Sequence, residues 1–76
     1  MKKVNIKLST IEDVQNFVEI VNRFDEDISL SSGRYIVDAK SIMGIFSLDL
    51  RMPISMNIDA DECEHIISAV EKFIVE

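Results

Sequence analysis

At 76 residues the chain has room for one domain around one core, which excludes a multidomain enzyme. It is 47% hydrophobic with only two Gly and one Pro, so it is not a disordered chain and most of it should lie in regular elements. Eight basic residues against 14 acidic ones leave a net charge of -6, which disfavours nucleic acid and basic membrane-surface binding, since both need clustered Lys and Arg.

Val4, Ile6 and Leu8 alternate with Asn5 and Lys7, the pattern of a strand with one buried face. Ser9 or Thr10 can cap the helix that follows, with Glu12 or Asp13 as the returning carboxylate. Ile11, Val14, Phe17, Val18, Val21 and Phe24 recur at helical spacing and predict a helix from about Thr10 to Arg23. Ile28 and Leu30, then Tyr35 and Val37, flank the turn Ser31-Ser32-Gly33-Arg34 and predict a β-hairpin. Ser41 opens a short apolar run to Leu48 whose apolar residues do not alternate, which favours about two helical turns. After Pro53, Ile54, Met56 and Ile58 alternate as a strand. Asp59 and Glu62 form a candidate capping box for a terminal helix carrying Cys63, Ile66, Ile67, Val70, Phe73 and Ile74.

The predicted order is therefore βαββαβα within a single domain, residues 1–76. Strands with one wet face leave the other face for all three helices. The expected fold class is α+β: a two-layer open-faced β-sandwich with a four-stranded, antiparallel sheet. The Met-Lys-Lys start leads into alternation, not an apolar run, so no signal peptide is expected. No apolar run is long enough to cross a bilayer, and the single cysteine has no partner for a disulfide or a zinc pair. A cytoplasmic location is expected, with no metal and no cofactor.

The block Val37-Asp38-Ala39-Lys40-Ser41-Ile42-Met43-Gly44-Ile45-Phe46-Ser47-Leu48 is similar to the Lys-Ser-Ile-Met-Gly-Val-Met-Ser-Leu block of the HPr family, the phosphocarrier proteins of the bacterial sugar phosphotransferase system. Arg23-Phe24-Asp25 and the strand after it also resemble that family, and the order of elements is the same. The resemblance implies an HPr-like fold. It also implies a phosphoacceptor histidine and an arginine at the start of the first helix. Counting back from Phe24-Asp25 puts Thr10 at the histidine position, Glu12 at the arginine position and Asp13 at the family's proline. A threonine phosphoester is too stable to pass its phosphate onward, and two carboxylates offer like charge where a guanidinium would offer donors. No catalytic residue is therefore expected, and the chain is predicted not to relay phosphate through histidine.

Ser41 falls at the regulatory serine that a dedicated kinase phosphorylates in Gram-positive members. A phosphate in the first turn of a helix gains from the helix dipole and free amides, and Lys40 adds positive charge. The resemblance makes Ile42, Met43 and Phe46 the partner-contact patch, with Lys40 beside it, and Ile45 and Leu48 the core side. The implied partners are phosphotransferase-system proteins or a serine kinase. The residues alone admit plainer readings: Ser41 as a helix cap, Met43 and Phe46 as core, Thr10 as a cap only. His65, near Asp61 and Glu62, and the carboxylates Glu12, Asp13 and Glu19 read as wet helix faces, and Cys63 as a buried thiol. Two further functional readings stay open: a working phosphocarrier that uses an unrecognised acceptor, and a structural domain without phosphate chemistry.

Overall fold

A computed structural model describes residues 2–75. The elements are β1 (Lys2–Ile6), α1 (Ile11–Val21), β2 (Asp27–Ser32), β3 (Tyr35–Asp38), α2 (Ile42–Phe46), β4 (Ile54–Asp59), α3 (Glu64–Ala69), a 3₁₀ turn (Glu71–Phe73) and β5 (Ile74–Val75). The strands form one antiparallel sheet in the order β3-β2-β4-β1-β5. The expected open-faced sandwich is present, with five strands in place of four. Among the described residues no helix is long and apolar enough to cross a membrane.

The in/out alternation read from the sequence sets which side of the sheet is dry. Ile6, Ile28, Leu30, Ile54, Met56 and Ile58 are buried under the helices. The helices contribute Val14, Phe17, Val21, Ile45 and Ile66, each with no exposed surface. The opposite face is polar. Ser29 stands across from Asn57, and Ser31 and Asn5 stand across from Ser55. Asn57 Nδ2 donates toward Ser31 Oγ at 3.3 Å and Ser29 Oγ at 3.4 Å, so uncharged side chains lace the wet face together.

Local chemistry explains where the elements differ from expectation. α1 ends at Val21, not Arg23, because the chain tightens there: Arg23 N–H reaches Ile20 and Phe24 N–H reaches Val21, the i−3 bonds of a 3₁₀ turn. The hairpin turn shrinks to Gly33 and Arg34. Gly33 takes φ of 61° without a Cβ penalty, and Arg34 keeps negative φ, so the strands run to Ser32 and Tyr35. α2 is one five-residue segment that closes with 3₁₀-type bonds from Ser47 and Leu48.

The terminal helix departs furthest. Asp59 belongs to β4, and α3 starts after Cys63 with no side-chain cap, so the expected capping box does not form. α3 stops at Ala69, and the apolar stripe continues as a 3₁₀ turn and then a strand. The β-branched Ile74 and Val75 pair with Ile6 and Asn5, exchanging helical bonds for a sheet edge. Phe73 stays in the core by this route, edge-on to Phe17 at 5.8 Å between ring centroids.

Candidate functional site

Two helix starts carry the residues singled out above. At α1, Thr10 has extended backbone and its Oγ1 accepts the Asp13 N–H at 3.0 Å. Asp13 reaches back in turn, and its Oδ2 accepts the Ser9 N–H at 3.0 Å. This is a capping box shifted by one residue at its return arm. The Thr10 hydroxyl is therefore a helix cap. Glu12, one residue into α1, is exposed.

The cations of the surrounding loops already have partners. Lys7 Nζ donates to the Leu50 carbonyl at 3.0 Å and ties the β1–α1 loop to the α2–β4 loop. Arg51 clasps Asp49 through two bonds of 3.0 Å each, one from Nε and one from the terminal nitrogen. The Arg51 side chain and then its backbone N–H hold the Asp49 carboxyl at about 2, below its ordinary 3.8, with Lys7 adding a smaller pull. The sign follows from the depressed value. The Asp49–Arg51 pair is fully present above pH 3.8 and is lost as the pH falls through about 2. An NMR titration of the Asp49 side-chain carboxyl should give a midpoint near 2, and Arg51→Gln should return it toward 3.8. An ordinary midpoint in the unmodified chain would rule out the clasp.

At α2, Ser41 is the cap. Its backbone is extended and its Oγ accepts the Gly44 N–H at 3.2 Å. Gly44 sits in close approach: a Cβ there would lie 3.2 Å from Val37 Cβ and 3.3 Å from Ser41 Oγ. Ile45 is fully buried and Leu48 nearly so, on the core side as the resemblance implied. Met43 is 80% exposed and Phe46 43%, whereas Ile42 is half-buried and packs against the core. Lys40 does not project freely beside this patch. Its Nζ donates to the Phe24 carbonyl at 2.6 Å, joining the end of α1 to the start of α2.

His65 lies away from both helix starts. Its Nε2 is 3.2 Å from Glu26 Oε2 and its ring stands edge-on to Phe24. The first turn of α3 is thereby linked to the α1–β2 loop, so His65 is more engaged than the open wet face expected for it. Cys63 is buried, with its thiol toward the Ala60 carbonyl. The Lys7–Leu50 and Lys40–Phe24 links were not read from the sequence, because contacts between distant segments leave no local pattern. The Asp49–Arg51 clasp spans only two residues and is the one of these links with a local signal in the sequence.

Comparison with known proteins follows the same lines. A family profile described as the PTS HPr component phosphorylation site matches residues 13–76. HPr-C-His of Thermoanaerobacter tengcongensis is 28% identical with a TM-score of 0.80, covering 95% of this chain and 89% of its own. The phosphocarrier protein HPr of Bacillus anthracis is 28% identical with a TM-score of 0.72, covering 97% of this chain and 94% of its own. The catabolite-repression protein Crh of Bacillus subtilis, at 23% identity and a TM-score of 0.65 over 93% of this chain and 88% of its own, shares the fold. No curated protein matches the sequence.

Proposed function

The chain belongs to the HPr family of the phosphoenolpyruvate:sugar phosphotransferase system, and from that membership we propose that it acts there as a regulatory or partner-binding module and not as a histidine phosphocarrier. The observation that carries this reading is a contrast between the two helix starts. Both starts are capped by a hydroxyl, but the Thr10 cap of α1 is followed by two acidic side chains, Glu12 and Asp13, which offer a phosphate like charge. The Ser41 cap of α2 precedes a first turn with no acidic residue, in a helix whose Met43 and Phe46 face outward. The only histidine of the chain, His65, sits on a different element and is paired with Glu26.

Ser41 is the switch in this reading. A phosphate on its Oγ meets the Gly44 N–H and the other free amides of the first turn. Lys40 is held on the Phe24 carbonyl, so it pairs with that phosphate only by giving up the tie between α1 and α2. Modification would then change both the charge beside Met43 and Phe46 and the seating of α2. The partners are proteins of the phosphotransferase system with apolar, positively charged docking faces, which suit a chain of net charge -6.

Two incubations test this. With phosphoenolpyruvate and the upstream enzyme of the system, the chain should acquire no acid-labile phosphate. With a cognate serine kinase and ATP, mass spectrometry should find one phosphoryl group, on Ser41, and none in Ser41→Ala. A phosphoryl group that passes from this chain to a sugar-specific component would establish the carrier reading instead.

A further inference from the structure

The free edge of the sheet is β3, and its chemistry is self-complementary. The hairpin closes on the pair Ser32–Tyr35 around a two-residue turn, which makes that pair a hydrogen-bonded one. Alternation then aims the backbone groups of Tyr35 and Val37 inward at β2. The bond from Ala39 N–H to the Ile28 carbonyl, 3.0 Å, continues the same phase. The backbone groups of Ile36 and Asp38 therefore face outward, with no strand beyond them among the described residues, and Arg34 lies in the turn immediately before the strand.

This phase limits how a second antiparallel strand can dock. Outward-facing residues must meet outward-facing residues, so a twofold axis can pass through Ile36 but not between Ile36 and Val37. In the register centred on Ile36, Arg34 stands opposite Asp38 of the second copy, twice over. Arg34 is in no salt bridge among the described residues. Asp38 uses Oδ1 to accept the Lys40 N–H at 2.9 Å and keeps Oδ2 for a guanidinium. The Asp38 carbonyl already accepts the Ser41 N–H, which marks where the ladder ends.

Side chains along the edge fit the same docking. Ile36 is 72% exposed and Tyr35 70% exposed, a large apolar area for a strand of four residues. The strand is short and ends on the charged Asp38, but it holds no Pro, no Lys and no bulge that would block pairing. A twofold pairing uses the β3 edge of each copy once, so it closes as a dimer and does not grow into a filament.

We propose that β3 pairs antiparallel with β3 of a second copy of this chain, about a twofold axis at Ile36 with Arg34 against Asp38 of that copy, giving a dimer with one continuous sheet. The ladder is short and each copy carries -6, so the dimer is weak and forms as the concentration rises. By sedimentation equilibrium the weight-average mass should climb from 8.7 kDa toward twice that value as the chain approaches about 1 mM. Arg34→Asp and Asp38→Arg should each hold the chain at monomer mass, because each sets like charges face to face. An equimolar mixture of the two should regain the dimer, since each variant's edge then complements the other's. Ile36→Lys, on an exposed side chain outside the turn, should also stay monomeric. Circular dichroism establishes that every variant is folded. Monomer mass for the parent chain at about 1 mM, or undiminished dimer in the folded variants, overturns the proposal.

Discussion

Phe17→Ala should cost about 3–5 kcal/mol and leave much of the chain unfolded under conditions where the parent is native. Phe17 has no exposed surface and meets Phe73 edge-on at 5.8 Å, so its removal opens a void between α1 and the 3₁₀ turn. For a domain of this size the whole stability is on the order of 0.05–0.15 kcal/mol per residue, which puts the loss at a large part of the total. The void also loosens the segment that delivers Ile74 and Val75 to β1. Urea denaturation followed by circular dichroism measures the effect as a lower midpoint. An unchanged midpoint would show that α1 does not pack on the turn before β5.

Gly44→Val should destabilise the chain by about 1–3 kcal/mol and unseat α2. A Cβ alone would sit 3.2 Å from Val37 Cβ and 3.3 Å from the Ser41 hydroxyl, closer than ordinary contact on both sides. Alanine at this position gains about 1 kcal/mol of helix propensity, which offsets much of that crowding, so Gly44→Ala should be near neutral. Valine adds two methyl groups and a branched Cβ with no more room. α2 then has to lift from β3, taking Met43 and Phe46 with it and disturbing the Ser41 cap. Denaturation should report the lost stability, and under the proposed function binding of a phosphotransferase-system partner should weaken as well. Equal stability of Gly44→Ala and Gly44→Val would mean that α2 has slack at this contact.

How far the sequence could be read depended on whether the controlling contact was local. Alternation in β1, β2 and β4 and the stripe Val14-Phe17-Val21 report burial directly, so the layers were legible. The Thr10 and Ser41 caps were legible too, because each bonds within its own first turn. The end of the chain was not. Phe73 and Ile74 continue a helical spacing, and only the presence of β1 alongside turns them into a 3₁₀ turn and a strand. The pinning of Lys40 and the pairing of His65 depend in the same way on segments 16 and 39 residues distant. What the block from Val37 to Leu48 supplied was the family and which side of α2 faces the core. The contact that steadies α2 from outside, Lys40 on the Phe24 carbonyl, reaches beyond that block and leaves no mark in it.

The strand order places β1 between β4 and β5. During synthesis β1 therefore precedes both its neighbours: one arrives with residues 54–59 and the other with residues 74–75. Its apolar Val4 and Ile6 have to be kept from straying until then. Lys2, Lys3 and Lys7 are spaced along and just after that segment, and charges so placed disfavour association of an apolar strand while it is unpaired.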